Sequence, residues 1–508
     1  MGKVINGDHF SSDDDPPRIS TGNPGIDDIL SGGLDANRMY LCEGHPGTGK
    51  TTLGMQFLLE GVKNGESVLY IALSESTREL RLVAKRHGWK LDGIEIFEMV
   101  SEDILDPEHE LTVLHPAEME LSETTRLILD KVESANPTRV VLDSLSELRL
   151  LAQGSLRYRR QILALKHFFA SRQCTVLLLD DRGGRDDDLQ LHSISHGVIA
   201  LEQLAIDYGA QRRRLRVLKM RGVEYRGGYH DFTIRKGGLV VYPRLVAAEH
   251  HKTFDPIPTP SGNAELDQLL GGGLERGTNA LLIGAAGVGK SSLAITYALA
   301  ATQRGEHAAI FAFDEGRITL QLRARNLGMP LEPALDKGLL HLQQIDPAEL
   351  SPGEFSSLVR RSVEQSDTRV IVIDSLNGYL NAMPDGRFLV LQLHELLTYL
   401  GQQGVTTIMV LAQQGMMGPM QTPLDISYLS DSVIMLRYFE HAGQVRRALS
   451  VVKKRSGAHE QSIREFTLSS RGLMLGQPLT SFSGILTGTP HYTGDDLRLL
   501  PKADNELA

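Results

Sequence analysis

Short apolar runs, each followed by a longer segment of mixed character, recur along the whole chain. They cover residues 39–43, 68–73, 139–143, 175–180, 280–283, 309–313, 369–374 and 406–411. Uninterrupted runs of this length, rich in Val, Ile and Leu, are typical of strands buried on both faces of a sheet. Helices are expected to start at Thr51 and Ser291, after glycine-rich stretches. The pattern predicts an α/β fold with parallel strands and right-handed crossovers.

The whole pattern is present twice. A G-x-x-x-[LI]-D element, a Gly-Gly-Leu turn, an apolar strand, a glycine-rich loop and Gly-Lys-Thr/Ser follow one another in both halves of the chain. Lys50 recurs as Lys290 and Asp143 recurs as Asp374, with offsets of 240 and 231 residues. Because order and spacing both persist, the sequence indicates a tandem duplication of one folding unit.

The prolines near the middle of the chain separate the two copies. Pro256, Pro258 and Pro260 alternate with other residues, which favours an extended linker over a helix or a central strand. The predicted organisation is a flexible arm at 1–17, a first domain at 18–245, a linker at 246–258, a second domain at 259–481 and an unstructured tail at 482–508.

Composition excludes several classes of protein. Of 508 residues, 41% are hydrophobic and 23% charged, as in ordinary globular proteins. The net charge of −10, from 53 basic and 63 acidic residues, argues against a general grip on nucleic acid. Cys42 and Cys174 stand in apolar runs and are predicted to be buried core residues. Neither a signal segment nor an apolar stretch of about 18 residues is present, so a cytoplasmic protein without membrane contact is predicted.

Two phosphate-binding loops carry the strongest chemical signal. Residues 44–51 and 284–291 both match G-x-x-x-x-G-K-[ST]. In such a loop successive N–H groups face one anion, the lysine reaches the β- and γ-phosphates, and the hydroxyl ligates Mg²⁺. The predicted cofactors are therefore ATP and Mg²⁺. The candidate nucleotide-binding residues are Gly47, Thr48, Gly49, Lys50, Thr51 and Thr52 in the first copy and Gly287, Val288, Gly289, Lys290, Ser291 and Ser292 in the second.

Acidic residues at strand ends are the next candidates. Asp143 and Asp374 end apolar strands, where a carboxylate beside the phosphate loop suits the coordination of the metal together with Thr51 and Ser291. Capping of the following helix is the alternative role.

Glu75 and Glu315 follow the second strand of each copy, at 68–73 and 309–313, across the phosphates from the loop. A carboxylate there can orient or deprotonate the attacking group. A solvated strand end is the alternative interpretation.

Pairs of cations follow a strand in each copy. Lys219 with Arg221, and Lys453 with Arg455, are two residues apart, so on a strand both members point to the same face. Each pair could stabilise the γ-phosphate of a nucleotide bound to a neighbouring subunit. The alternative is a solvated face.

These motifs together resemble the KaiC family, the double-domain ATPases of the circadian clock system within the RecA-like superfamily. The resemblance covers residues 18–495 and is especially close at 430–468. It implies two tandem RecA-like P-loop domains, each with a mostly parallel twisted sheet flanked by helices, in a homohexamer with ATP at subunit interfaces. It also implies ATP hydrolysis in the first domain, serine/threonine autokinase and autophosphatase activity in the second, and a partner resembling KaiB. The tail, which in the family meets KaiA, carries no specific signal for a KaiA-like partner.

The chain departs from the family at the acidic pair, which is typically Glu-Glu. The first domain has Ser74-Glu75, so the resemblance makes its hydrolysis depend on Glu75. The second domain has Asp314-Glu315, and Asp314 is one methylene shorter than glutamate.

The phosphoacceptor segment departs as well. The neighbouring Ser and Thr acceptors of the family align with Ser427 and Tyr428. Ser427 is thus the implied phosphoacceptor, whereas Tyr428 places a larger phenol at the second position. Ser430 and Ser432 are nearby alternatives.

Two other functions stay open at this point. The first is a RecA-like ATPase that depends on nucleic acid. Against it, the loop at 181–188 combines Arg182 and Arg185 with three consecutive aspartates, and the equivalent 413–423 has no cation and no aromatic residue. Nucleic acid is therefore not a predicted partner. The second is a nonenzymatic scaffold gated by ATP.

Overall fold

The computed structural model describes residues 17–99, 116–182, 188–205, 208–381, 386–413 and 426–494. The chain folds into two compact units, the first ending at Arg244 and the second beginning at Leu245. The predicted arm up to residue 16, most of the loop at 181–188, the loop from 414 and the tail from 495 lie outside the described residues.

The first unit alternates strands and helices along the chain. Its strands are β1 (Arg18–Ile19), β2 (Leu34–Asp35), β3 (Met39–Gly44), β4 (Val68–Ala72), β5 (Ile94–Glu98), β6 (Arg139–Asp143), β7 (Thr175–Asp181), β8 (Gly197–Leu204), β9 (Arg212–Met220), β10 (His230–Arg235) and β11 (Gly238–Tyr242). Its helices are α1 (Pro24–Ile29), α2 (Lys50–Lys63), α3 (Thr77–His87), α4 (Pro116–Ala135), α5 (Leu145–Ala152), α6 (Ser155–Ser171) and α7 (Asp188–Ile194).

The second unit repeats this order. Its strands are β12 (Pro258–Thr259), β13 (Leu274–Glu275), β14 (Asn279–Gly284), β15 (His307–Ala312), β16 (Leu340–Gln344), β17 (Thr368–Asp374), β18 (Thr406–Ala412), β19 (Ser432–His441), β20 (Gln444–Lys454), β21 (Arg464–Ser469), β22 (Gly472–Pro478), β23 (Phe482–Ser483) and β24 (His491–Tyr492). Its helices are α8 (Ala264–Leu269), α9 (Lys290–Gln303), α10 (Arg317–Asn326), α11 (Glu332–Asp336), α12 (Pro352–Ser366), α13 (Leu376–Leu380) and α14 (Gly386–Gln402), with 3₁₀ turns at Ala247–Glu249 and Ser427–Leu429.

Each unit is built on a nine-stranded sheet with the same strand order. In the first unit the order is β11-β10-β9-β8-β3-β7-β6-β4-β5, and in the second it is β22-β21-β20-β19-β14-β18-β17-β15-β16. The six strands from β8 to β5 pair in parallel, while β9, β10 and β11 extend the sheet antiparallel. The predicted fold class, two tandem RecA-like domains with mostly parallel sheets, is confirmed.

The central strands are buried on both faces, as their uninterrupted apolar runs predict. In β3, Tyr40 and Cys42 belong to the apolar cluster under α2, whereas Met39 and Leu41 belong to the cluster under α5 and α6. Successive side chains of a strand point to opposite faces, so helices on both sides are needed to cover them. Both cysteines are buried and unpaired, which confirms that prediction.

The ends of the second domain differ from the sequence prediction. Within the predicted linker, Ala247 is buried and packs into the core of the second unit. After residue 482, β23 pairs with β24, and Ile485 is buried against Phe439 and Ala448. The prediction of an unstructured tail is therefore wrong for residues 482–492, because Ile485 supplies an apolar anchor.

No helix in the described ranges combines the length and the apolar character that a membrane crossing requires.

Candidate active sites

The first phosphate loop joins β3 to α2. Gly49 has φ = 105°, and a Cβ added there would lie 2.8 Å from Cδ1 of Ile234, so only glycine fits. Helix α2 begins at the next residue, Lys50, whose buried ammonium donates to the carbonyls of Gly44 at 2.9 Å and His45 at 3.0 Å. Its Nζ also lies 2.8 Å from Oδ1 of Asp181. The ammonium group of Lys50 is therefore held by backbone carbonyls of the loop itself.

The second loop repeats this geometry with a different charge balance. Lys290 donates to the carbonyls of Gly284 at 3.0 Å and Ala285 at 2.6 Å. Burial lowers the pKa of Lys290 to about 8, and Asp374 opposes that shift. Ala412 occupies the strand-end position that Asp181 has in the first domain. At this strand-end position the second domain therefore has a methyl group in place of the carboxylate that pairs with Lys50.

A hydroxyl and a carboxylate meet beside each lysine. Oγ1 of Thr51 donates to Oδ2 of Asp143 at 2.8 Å, and the phenol of Tyr70 donates to the same oxygen at 2.6 Å. In the second domain, Ser291 hydrogen-bonds to Asp374. Burial raises the pKa of both aspartates above the ordinary value. The hydroxyl and the aspartate predicted to hold the metal are thus in contact in each domain.

These groups fit ATP with Mg²⁺. A lysine amine and the N–H groups at the start of a 14-residue helix offer hydrogen-bond donors that suit phosphate oxygens, and a hydroxyl next to an aspartate suits the metal. The other candidate residues of the loops stand at the same helix starts: Thr48, Thr52 and Val288 are buried, and Ser292 accepts a hydrogen bond from Arg323 at 2.8 Å.

Glu75 lies beside the first site. It directly precedes the capping box of α3, in which Ser76 and Glu79 exchange hydrogen bonds. Burial raises the pKa of Glu75, and the negative charges of Asp143, Glu79 and Asp181 raise it further. Among the described residues Glu75 has no ion pair.

Glu315, at the same place in the second domain, is held by an arginine. Arg323 on α10 donates to both of its oxygens, from Nε at 3.1 Å and from Nη2 at 2.6 Å. The neighbouring Asp314 is exposed and accepts a hydrogen bond from Ser375. The two equivalent glutamates thus have different electrostatic surroundings.

The predicted cation pairs bind backbone carbonyls of their own domain. Lys219 donates to His192 and Ser195, and Arg221 donates to Ser193 at 2.7 Å. In this chain they fasten the last turn of α7 and the residues between it and β8.

The second domain repeats the contact. Lys453 donates to Ser427 at 2.9 Å and Ser430 at 2.7 Å, and Arg455 donates to Tyr428 at 2.8 Å. These cations thereby hold the segment implied to carry the phosphoacceptor.

The candidate acceptors differ in accessibility. Ser427 is half-buried and begins a 3₁₀ turn, and Tyr428 is 56% exposed. Ser430 and Ser432 are fully buried. In this conformation neither of these two can serve as the alternative acceptor that the sequence suggested.

Four site residues escape sequence reasoning. Asp181 had a signal, since two aspartates end the strand run TVLLLDD. No sequence signal points to Tyr70 or Arg323, because each reaches the site from a separate helix or strand. Glu43 lies directly before the first loop and is buried, and its Oε2 is 2.7 Å from Nε2 of His192. A carboxylate inside an apolar strand is the sequence signal that points to it.

The fold and the paired loops define a tandem RecA-like P-loop nucleoside triphosphatase. Comparison with known proteins adds the family. A family model described as "ATPase: KaiC" matches residues 19–246 and again 259–479. The chain belongs to the KaiC family of ATPases.

Curated relatives cover nearly the full length. The circadian clock protein KaiC3 of Synechocystis sp. is 27% identical over 94% of this chain and 95% of its own length. The circadian clock oscillator protein KaiC of Picosynechococcus sp. is 28% identical, with 93% and 92% covered. That of Synechococcus elongatus is 27% identical, with 92% and 90% covered.

Proposed function

We propose that this KaiC-family ATPase hydrolyses ATP mainly in its first domain, with Glu75 as the base that activates water. The observation that carries the proposal is the contrast between the two glutamates. In the described part of the chain Glu75 makes no ion pair, and burial raises its pKa, which makes its carboxylate a better proton acceptor. Glu315 is neutralised by a bidentate arginine.

Lys50, Thr51 and Asp143 would hold the triphosphate and its metal, and Lys290, Ser291 and Asp374 would do so in the second domain. ATP with Mg²⁺ supplies the phosphoryl group and neutralises its charge. The proton of the attacking water goes to the carboxylate of Glu75.

The second domain is proposed to transfer phosphate to Ser427, and to remove it again. The supporting observation is the difference between the two equivalent segments. Lys453 holds the carbonyl of Ser427 as Lys219 holds that of His192. The first domain therefore has a histidine, hydrogen-bonded to Glu43, where the second has a hydroxyl. Of these two equivalent residues, Ser427 is the one that can form a phosphate ester.

We further propose that six chains assemble with ATP at their interfaces and act as a nucleotide- or phosphorylation-dependent switch that binds a KaiB-like partner. The relatives are clock proteins by name, and the chain aligns with them over more than nine-tenths of its length. The Ser-Tyr acceptor segment favours a simple switch over a two-site phosphorylation cycle.

Incubation with ATP labelled on its γ-phosphate tests both activities. We expect Glu75→Gln to lower phosphate release about a hundredfold, as loss of a general base does, and Glu315→Gln, the matched control, to lower it far less. Protein-bound label should disappear in Lys290→Ala and in Ser427→Ala but persist in Lys50→Ala. Equal effects of the two glutamate variants would overturn the first-domain assignment. Label that survives Ser427→Ala would overturn the acceptor.

A further inference from the structure

A cavity of about 400 Å³ lies in the second domain, away from the phosphate loop. It is bounded by the carboxyl-terminal half of α9, by α11 and by the turn that enters β22. Its walls mix apolar side chains, such as Leu299 and Met329, with hydroxyl, amide and cationic groups. Preformed concavities of this size and mixed character are typical of small-molecule sites.

The duplicated fold allows a direct comparison with the first domain. Asn263 donates from Nδ2 to the carbonyl of Leu473 at 2.8 Å, and Asn23 donates to Leu239 at the same distance, so the two turns correspond. Gly472 follows the turn in the second domain and Gly238 in the first. A Cβ added at Gly472 would have no atom within 4 Å.

In the first domain this space is filled. A Cβ added at Gly238 would lie 2.5 Å from Cδ of Gln56 and 2.7 Å from Cζ2 of Trp89. The amide of Gln56 also hydrogen-bonds to Leu239, with Leu239 N donating to Oε1 at 2.9 Å. The second domain has Thr296 in place of Gln56 and Met329 in place of Trp89. Both side chains are smaller than those of the first domain.

One wall of the cavity has no counterpart in the first domain. There, Leu91 is followed after two residues by β5. In the second domain six further residues intervene before β16, and they form α11 and its flanks. Pro333, Ala334 and Lys337 of this insertion line the cavity. The space thus results from smaller side chains and from an added wall.

The charge at the rim is positive. Arg471 and Lys337 line the cavity, and no aspartate or glutamate does. Within the described part of the chain, neither cationic side chain makes a hydrogen bond or an ion pair. An apolar floor beside two unneutralised cations matches an anion with an apolar body.

We propose that this cavity is a binding site for a small amphipathic anion, meaning an aromatic or aliphatic body that bears one carboxylate, sulfonate or phosphate group. The apolar body would lie against Leu299 and Met329. The anionic group would lie between Arg471 and Lys337. The first domain lacks the site because Trp89 and Gln56 occupy it.

The probe is 8-anilinonaphthalene-1-sulfonate, titrated into the full chain whose loops are saturated with Mg²⁺ and a non-hydrolysable ATP analogue. We expect one saturable site per chain by fluorescence. Met329→Trp restores the side chain of the first domain and should weaken binding about tenfold or more. Arg471→Gln, at an exposed turn, should weaken it about fivefold, and Arg361→Gln, an exposed arginine on α12, should leave it unchanged.

N-Phenyl-1-naphthylamine has the same ring system without the sulfonate, so it shows how much of the affinity comes from the apolar rings and how much from the charge. It should bind more weakly than the sulfonate and should not respond to Arg471→Gln. Equal affinity of the two probes, or a sulfonate affinity unchanged in Arg471→Gln, would overturn the anion specificity. Absence of saturable binding, or binding unaffected by a folded Met329→Trp protein, would overturn the site itself. Arg471→Gln keeps the test valid should Met329→Trp not fold.

Discussion

One arginine distinguishes the surroundings of the two equivalent glutamates. Arg323 projects from α10 and binds both oxygens of Glu315, while Nη1 reaches Ser292 at 2.8 Å. The residue eight positions after Glu75 is Val83, which has no donor. A half-buried bidentate pair of this kind engages both carboxylate oxygens in hydrogen bonds, so the carboxylate is less available to a substrate water.

Arg323→Val should therefore release Glu315. In a Lys50→Ala background, where the first loop is inactive, we expect phosphate release by the second domain to rise on the order of tenfold, because its base becomes available. Radiolabelled phosphate measures the rate. Arg325→Val removes an arginine of the same helix that pairs with Glu332 instead, and should have no effect. An unchanged rate in Arg323→Val would contradict the role given to this contact.

The raised pKa of Glu75 makes a pH prediction. Its neighbours Asp143, Glu79 and Asp181 favour the protonated form, so the base becomes active only above its raised pKa. Glu79→Gln removes one negative charge while glutamine still completes the capping box. The pKa of Glu75 should then fall, and the acidic limb of the pH–rate profile should move to lower pH.

That shift is measured from kcat/KM for hydrolysis across pH. Glu133→Gln serves as the control, since Glu133 lies on α4 and pairs with Arg172. A limb that stays in place, or moves to higher pH, would mean that Glu79 does not act on the catalytic group.

At the scale of elements, a lysine near the end of one strand binds the segment that precedes the adjacent strand of the same sheet. Lys219 at the end of β9 binds carbonyls before β8, and Lys453 at the end of β20 binds carbonyls before β19. Charge-assisted hydrogen bonds of this kind are stronger than neutral ones. The 3₁₀ turn that begins at Ser427 is therefore held in place by hydrogen bonds from a strand of the sheet.

Lys453→Met should loosen this turn. Two carbonyls lose a cationic donor, so amide hydrogen exchange at 427–430 should accelerate about tenfold, and phosphate incorporation at Ser427 should fall. Exchange measured by mass spectrometry reports the change. Lys219→Met is the reciprocal control and should affect only residues 192–195. Acceleration at 427–430 in both variants, or in neither, would contradict the clamp.

At the scale of the molecule, the proposed hexamer predicts a mass. Six chains of 55.9 kDa give about 335 kDa. We expect sedimentation velocity to show this species with Mg²⁺ and ATP, and Lys50→Ala with Lys290→Ala to reduce it, because nucleotide at the interfaces would hold the subunits together. A protein that stays at the mass of one chain with ATP would refute the assembly.

The sequence by itself determined the architecture of each domain and the core of each site. Apolar runs predicted β3, β4, β6 and β7 with their ends nearly in place, because a strand covered on both faces must be apolar throughout. The loop motifs located Lys50, and the strand-end position of Asp143 predicted that it lies beside the phosphate loop, where it contacts Thr51. These features are local, since one short segment contains the whole signal.

Only the tertiary structure decided what surrounds those groups. Tyr70 reaches Asp143 from a neighbouring strand, and Arg323 reaches Glu315 from the following helix. Lys219 and Lys453 stood in the sequence as candidates for a phosphate, yet in the fold they bind carbonyls of their own domain. Such partners depend on how separate elements pack, and packing is set by many distant residues together. The sequence therefore predicts which chemical groups each site contains, whereas the packing of the fold determines which of those charged groups are paired.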